Sequence, residues 1–124
     1  MESHEHLFFS CPYSNQIWRA LKQKCNIPFG DHSWQDCISQ MVTLCKGKSL
    51  LNTVRKLCFA TGVYLIWEER NKRLHENSLR EAKVVFWYTT ESIRCRLSAV
   101  RGIKDSVENR GIQTLWRLPD SIFA

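Results

Sequence analysis

Hydrophobic residues along this chain recur at intervals of three and four positions, and no stretch shows convincing alternation with period two. Side chains with this spacing share one face of a helix, so the pattern predicts helices throughout the chain. We therefore predict an all-α fold, a small helical bundle of about four main helices with irregular N- and C-terminal segments laid against it.

The first part of the chain contains two predicted helices. The first takes Ser14 as its N-cap and ends at the helix-breaking residues that begin with Pro28. The second starts at Ser33, with Asp36 as its capping-box partner, and stops near Gly47. The residues predicted to be buried on these two helices are Ile17, Trp18, Leu21, Cys25, Cys37, Ile38, Met41, Val42 and Cys45.

The third predicted helix runs from Leu50 to Leu74 and is apolar on two opposite sides, which places it in the middle of the bundle. Gly62 lies inside it, where glycine costs about 1 kcal/mol relative to alanine, so close approach by a neighbouring helix would explain its presence. Beyond Trp67 the sequence becomes charged, and we expect the helix to project into solvent there. The two apolar sides consist of Leu50, Val54, Leu57, Cys58, Thr61 and Leu65 and of Phe59, Val63, Ile66 and Trp67.

The fourth predicted helix opens with a capping box from Ser78 to Glu81 and ends between Gly102 and Ser106. The tail that follows, from Asn109 onwards, is predicted to be less regular. The buried stripe of the helix is predicted to consist of Ala82, Val85, Phe86, Thr89, Ile93, Leu97 and Val100. The tail residues expected to fold back onto the bundle are Trp116, Leu118, Ile122 and Phe123.

The composition is that of one folded domain. The 124 residues are 44% hydrophobic and 24% charged, which is enough to build a core and unlike a disordered chain. The polar start carries two histidines, so we expect no secretory signal, and an uncharged run such as 57–67 is shorter than the roughly 20 residues of a membrane span. Six cysteines occur without any C-x-x-C. We expect an intracellular protein, nuclear or cytoplasmic and not secreted, with reduced thiols mostly in its core.

One metal-ligand spacing lies near the N-terminus. His6 and Cys11 have four residues between them, which is typical of the second half of a four-ligand zinc site whose first half is an upstream cysteine pair. Five residues precede His6, so we predict an incomplete site, cut off before its first cysteines. His4 could supply a third ligand, and Cys25 or His32 a fourth. Alternatively the pair is vestigial, and the apolar residues between its members pack on the first helix.

Two sequence blocks resemble a known family. Residues 2–11, Glu-Ser-x-x-His-Leu-Phe-Phe-x-Cys, followed by Ile17, Trp18 and Leu21, resemble the zinc-binding region that follows the reverse transcriptase domain in LINE-type (non-LTR) retrotransposons, especially those of plants. Residues 66–73, Ile-Trp-Glu-Glu-Arg-Asn-Lys-Arg, are similar to the Ile-Trp-x-Glu-Arg-Asn-x-Arg segment downstream of that region. The family's leading cysteine pair, polymerase domain and endonuclease domain are missing from this sequence.

The resemblance implies that residues 1–28 are a remnant of the reverse transcriptase zinc-binding region and that residues 29–124 form a helical body, packed with it as one compact unit. It also implies zinc as a cofactor, held in part by His6 and Cys11. The implied partners are RNA or DNA and the reverse transcriptase domain of the parent element. In an intact element, such a region would help to hold template RNA or target DNA near the polymerase.

The charge of the chain favours nucleic acid as a partner, because 18 lysines and arginines against 12 acidic residues give a formal net charge of +6. On the fourth predicted helix, three arginines and a tryptophan recur every seven residues, which keeps them nearly in line. Guanidinium groups around an indole suit a phosphate backbone with exposed bases. The predicted nucleic-acid-binding residues are Arg80, Lys83, Trp87, Arg94 and Arg101. Alternatively this is a solvated helix face, or a buried indole with arginines extended around it.

Signatures of catalysis are missing from the sequence. It contains no Gly-rich phosphate loop, no H-E-x-x-H, no G-x-S-x-G, and no adjacent aspartates such as the family's polymerases use for nucleotidyl transfer. We therefore predict a non-catalytic, nucleic-acid-associated module and no enzyme. The alternative is a structural or protein-interaction domain that docks on a missing polymerase or self-associates, without binding nucleic acid itself.

Overall fold

The computed structural model describes residues 12–28, 34–76 and 81–124, and within them it forms five α-helices and one short 3-10 turn. The helices are α1 (Pro12–Lys24), α2 (Trp34–Leu44), α3 (Leu50–Glu76), α4 (Ala82–Ser98) and α5 (Val107–Trp116), and the turn is Asp120–Ile122. α3 packs against α1, α4 and α5, and α1 also packs against α4. The predicted all-α fold is confirmed, with one more helix than expected and with the predicted central position of α3.

α1 begins earlier than predicted. Its first residue is Pro12, because the N–H that proline lacks would have no partner in the first turn of a helix. Ser14 is therefore inside the helix, so its prediction as N-cap is wrong; its hydroxyl is buried and has no hydrogen-bond partner among the described residues. The predicted apolar side is confirmed, since Ile17, Trp18, Leu21 and Cys25 are all buried.

Gly62 lies where α1 crosses α3. A Cβ atom at this position would be 2.9 Å from Leu21 Cδ1 and 3.7 Å from Trp18 Cζ3. The two helices can approach this closely because glycine presents no side chain, which confirms the reason predicted for its place in a helix interior.

The outer parts of α2 and α3 differ from the sequence prediction. Val42 is 64% exposed, so its predicted burial is wrong. Trp67, at the end of the second apolar side of α3, is 52% exposed. Glu69 is only 2% exposed, which contradicts the expected projection of the charged end of α3 into solvent. The burial periodicity instead continues from Ile66 to Glu69, three residues apart on one face of α3.

α4 is shorter than predicted at both ends. It starts at Ala82 with Glu81 as N-cap, and the Glu81 side chain makes no capping hydrogen bond, so the predicted capping box is wrong; Ser78 lies outside the described residues. It ends at Ser98 because the chain then turns away so that Ile103 can pair with the C-terminal segment. The predicted buried stripe is confirmed at Val85, Thr89, Ile93 and Leu97.

The tail predicted to be less regular contains α5. Ser106 is its N-cap, with a hydroxyl that accepts a hydrogen bond from the Asn109 amide at 3.1 Å, and Arg117 ends it in the left-handed conformation. The segment after α5 pairs with Ile103, which precedes α5. The Ile103 N–H donates to Ile122 O and the Ala124 N–H donates to Ile103 O, both at 2.9 Å. The predicted return of the tail to the bundle is confirmed by the burial of Trp116, Leu118 and Ile122 and the partial burial of Phe123.

All five cysteines among the described residues are free. Four of them are buried and Cys95 is exposed, in line with the prediction of reduced thiols mostly in the core. None of the helices in residues 12–28, 34–76 and 81–124 has the length of apolar sequence that a bilayer-spanning helix requires.

Candidate nucleic-acid interface

The predicted metal ligands His6 and Cys11 lie outside the described residues. Within the part of the chain that the structure describes, no three His, Cys, Asp or Glu side chains come together as a set that could hold a metal ion. Cys25, considered as an additional ligand, is buried in the core beside Cys58. A hydrogen bond with Cys25 and, to a lesser extent, burial raise the pKa of the Cys58 thiol, so Cys58 is a protonated thiol packed against Cys25 in the core.

Two of the predicted nucleic-acid-binding residues lie on the solvent side of α4, while Arg80 lies outside the described residues. Lys83 is exposed, and its Nζ is 3.6 Å from a carboxylate oxygen of Glu81, itself exposed. Trp87 is 57% exposed and meets Tyr88 edge-on, with the ring centroids 5.3 Å apart and the rings inclined at 76°. The indole is therefore available to a ligand rather than buried.

Arg101 does not continue the predicted row. It lies beyond the end of α4, where its Nη1 donates hydrogen bonds to Ser98 O at 2.9 Å and to Val100 O at 2.8 Å. Its guanidinium thus binds carbonyls at the helix C-terminus, which attract positive charge. The heptad alignment predicted through Arg101 is wrong because the helix ends at Ser98.

Arg94 belongs to a group of charges that sequence reasoning missed, here named the Glu91 cluster and made of Lys24, Glu91, Arg94, Trp116 and Arg117. Arg94 Nε donates to Glu91 Oε2 at 2.6 Å, and Arg117 Nη2 donates to Glu91 Oε1 at 3.4 Å. Lys24 Nζ lies 4.9 Å from the centroid of the Trp116 ring, a cation–π contact. All five side chains line one small hollow where α1, α4 and α5 meet.

Each helix brings its residues to the Glu91 cluster for a local reason. Lys24 is the last residue of α1 and Arg117 is the C-cap of α5, so both cations stand at helix C-termini, whose dipoles favour positive charge. Glu91 and Arg94 are three residues apart on α4, a spacing that lets their side chains meet.

The electrostatics of the Glu91 cluster favour a bound anion. The Arg94 hydrogen bond lowers the pKa of Glu91, with further lowering by the charges of Arg94, Arg117 and Lys24, while the same bond raises the pKa of Arg94. The carboxylate therefore stays ionised near neutral pH. By formal side-chain charge, one carboxylate then faces three cations, and the two helix C-termini offset part of this positive surplus.

A second arginine group, here named the Arg110 cluster, holds the C-terminal segment. The Arg110 guanidinium donates from Nε to Asp105 Oδ1 at 2.7 Å and from Nη2 to Asp105 Oδ2 at 2.8 Å. Its Nη1 donates to Asp120 Oδ1 at 3.1 Å, and its central carbon lies 4.0 Å from the centroid of the Phe123 ring. Gln113 completes the cluster by donating to the same Asp120 oxygen.

Exposed aromatic side chains occur on two helices. Tyr64 and Trp67 are 58% and 52% exposed and are three residues apart on α3, so they share one face. Trp87 and Tyr88 are the exposed aromatic residues of α4. Both surfaces are candidates for binding, because tryptophan and tyrosine are enriched at interaction sites.

No protein-family model matches the chain, and searches of curated proteins and of solved structures likewise give no match.

Proposed function

We propose that this chain is a non-catalytic, nucleic-acid-binding module similar to the zinc-binding region that follows the reverse transcriptase domain in LINE-type retrotransposons. The observation that carries this proposal is the solvent-facing indole of Trp87 on the same helix as Lys83. An exposed indole offers a stacking surface to a base, and a neighbouring ammonium offers a contact to a phosphate.

The energetics of these two side chains support the proposal. Stacking on an aromatic side chain contributes about 1–3 kcal/mol per base and tolerates any sequence, because every base has a π-face. Both side chains of the ion pair between Lys83 and Glu81 are largely exposed, at 84% and 72%, so the pair holds the ammonium only weakly and leaves it able to bind a phosphate. The net charge of +6 adds long-range attraction to a polyanion.

The test is fluorescence anisotropy with labelled single-stranded RNA and DNA of about fifteen nucleotides, measured over a range of salt concentrations. We expect binding that weakens steeply from low to moderate salt, and a loss of about tenfold in affinity for Trp87→Ala, the equivalent of 1.4 kcal/mol of stacking. Trp67→Ala is the matched control, because it removes an indole of similar exposure from α3. Equal affinity of the Trp87→Ala and Trp67→Ala proteins would contradict the proposed interface.

The second candidate function is a protein-interaction domain that docks on a reverse transcriptase domain or self-associates. The face shared by Tyr64 and Trp67 favours it, since half-exposed aromatic residues on one helix face suit a protein partner. Sedimentation at several salt concentrations separates the two functions. Self-association that is insensitive to salt and lost in Trp67→Ala, together with no affinity for RNA or DNA, would favour this candidate.

The zinc ligands implied by the family resemblance, His6 and Cys11, are part of the same proposal. Because no three ligand-type side chains come together within the described residues, we expect the remaining ligands to come from outside them. We expect a protein extended upstream by about fifteen residues encoded in the gene to retain more zinc after dialysis than this chain. Equal zinc in the two proteins would contradict the incomplete site, and His6→Ala with Cys11→Ala should lower whatever zinc the extended protein holds.

A further inference from the structure

We infer that the Glu91 cluster is a phosphate-binding site, in which Arg94, Arg117 and Lys24 contact backbone phosphates of a single strand whose bases stack on Trp87. This inference rests on the proposed nucleic-acid function and names the groups that would hold the backbone. Of these three cations, only Arg94 belongs to the residues predicted from the sequence.

The geometry of α4 places the Trp87 indole on the same helix face as the Glu91 cluster. Lys83, Trp87, Glu91 and Arg94 follow one another at spacings of four, four and three residues, so they lie along one face of the helix. With a rise of 1.5 Å per residue, Trp87 and Arg94 are about 10 Å apart along the axis. One short stretch of single strand can therefore contact the indole and the cluster at the same time.

The hydrogen bonds of the cluster leave donors for a ligand. Arg94 uses Nε for Glu91, which leaves its two Nη groups, and Arg117, with a side chain 76% exposed, contributes one Nη2 contact of 3.4 Å. The ammonium of Lys24 is held over the face of Trp116 rather than by a carboxylate. A phosphate would thus meet oriented cations whose hydrogen-bonding capacity is only partly used, as planar guanidinium groups are suited to do.

A purely structural explanation of the cluster makes a different prediction. Lys24 and Arg117 would simply neutralise two helix C-termini, and Glu91 would hold the arginines in place. Removing the carboxylate would then loosen the cluster and bring no gain. In a phosphate site, Glu91 competes with the ligand for the arginines, so Glu91→Gln should tighten binding while the amide oxygen still accepts a hydrogen bond from Arg94.

The experiment measures the affinity of the full chain for the same labelled oligonucleotides as a function of salt. We expect Arg94→Gln/Arg117→Gln to weaken binding by about fivefold per lost phosphate contact at roughly 0.1 M salt and to reduce the slope of log K against log salt by about 1.4. We expect Glu91→Gln to tighten binding and to steepen that slope by about 0.7. Lys46→Gln/Lys48→Gln is the charge-matched control, because both lysines are exposed in the connection between α2 and α3.

The outcomes separate this inference from the proposed function. If the unaltered protein binds no oligonucleotide, the proposed function fails and the phosphate site fails with it. If it binds, but the double arginine variant behaves like the lysine control or Glu91→Gln weakens binding, the phosphate site is overturned while the function stands. Circular dichroism checks that each variant is folded, and Arg117→Gln alone, at an exposed side chain, provides the test if the double variant unfolds.

Discussion

The Arg110 cluster and the Glu91 cluster both combine arginine, carboxylate and an aromatic ring, but they balance their charges in opposite ways. In the Arg110 cluster, one guanidinium serves two carboxylates and all of its nitrogens donate to carboxylate oxygens. In the Glu91 cluster, three cations share one carboxylate. In the first, four of the five N–H groups of Arg110 already donate hydrogen bonds, whereas the second has more spare donors and surplus positive charge. Charge balance thus distinguishes an arginine whose donors stabilise the fold from one that keeps donors free, which is the basis for the proposed phosphate site.

The two clusters also differ in what they connect. Arg110 joins Asp105, just before α5, to Asp120, the first residue of the C-terminal turn, and it lies against Phe123, which packs on the core. The Glu91 cluster lies at the meeting point of three helices that are already joined by buried apolar contacts. We therefore expect changes in the Arg110 cluster to alter stability and changes in the Glu91 cluster to alter binding.

The largest effect on stability is expected from Ile122, the buried apolar residue of the turn that Asp120 of the Arg110 cluster begins. Ile122 is fully buried in the 3-10 turn, so Ile122→Ala should lower the free energy of unfolding by about 2–5 kcal/mol through lost contacts and a cavity. Leu115→Ala, at a 55% exposed residue that lines the hollow of the Glu91 cluster, is the control and should change it by at most about 0.5 kcal/mol. Urea unfolding measures both, and similar losses would show that the two regions do not differ as anchors.

Arg110 itself is expected to have the next largest effect. Arg110→Gln leaves Asp105 and Asp120 without their shared cation and removes the contact with Phe123, so the melting temperature should fall and the C-terminal segment should open. Hydrogen exchange at the Ile103 and Ala124 amides, whose bonds join the segment to the chain after α4, should accelerate.

The comparison variant for Arg110→Gln is Arg117→Gln, which removes a guanidinium from the Glu91 cluster. We expect its melting temperature and its exchange at Ile103 and Ala124 to match those of the unaltered protein. A larger loss of stability for Arg117→Gln than for Arg110→Gln would reverse the roles assigned to the two clusters.

How far the sequence predicts this molecule depends on whether a feature is local. The apolar stripes of α1 and α4 and the close approach at Gly62 follow from spacing alone, and the structure confirms them. The predicted end of α4 was wrong because the end of this helix depends on pairing between Ile103 and Phe123, which is distant in the sequence. α5 was missed because Gly111 and its charged neighbours weaken the helical pattern, although the Ser106 N-cap was a readable signal.

The candidate site was less predictable than the fold. Lys24, Glu91 and Arg117 are far apart in sequence and meet only because α1, α4 and α5 converge. No spacing rule links them, so only Arg94, on the predicted heptad row, pointed towards the cluster. Arg101 was assigned to that row because a helix drawn from sequence had no reason to stop at Ser98.

Low pH should distinguish the two clusters, because protonation of their carboxylates should affect stability in one cluster and binding in the other. The Arg110 hydrogen bond lowers the pKa of Asp105 from 3.8, and the Arg94 hydrogen bond lowers that of Glu91 from 4.5. A carboxyl with a lowered folded-state pKa stabilises the protein above its ordinary pKa, and this contribution is lost as the pH falls through the lowered value. We expect stability to fall below about pH 4, less steeply in Arg110→Gln, when followed by urea unfolding.

Over the same pH range, affinity for oligonucleotides should rise as the pH falls, whereas stability falls. Protonation of Glu91 removes the only carboxylate paired with the arginines of its cluster within the described residues, so affinity should rise while the protein remains folded. Glu91→Gln should abolish that rise. The same acid-dependent rise in Glu91→Gln would mean that another group is responsible for it.

The smallest expected effect distinguishes the charge of Arg117 from its backbone conformation. Arg117 has φ of 53° in the left-handed region that glycine adopts readily, so Arg117→Gly should raise the free energy of unfolding by up to about 1 kcal/mol. It also removes a cation of the Glu91 cluster, so oligonucleotide affinity should fall. Asn26→Gly is the matched control, because Asn26 has φ of 57° just after α1 but carries no charge; it should stabilise slightly and leave affinity unchanged. Lower stability of Arg117→Gly would instead show that the Arg117 side chain stabilises the fold, as Arg110 does. The two clusters would then not differ in their contribution to stability.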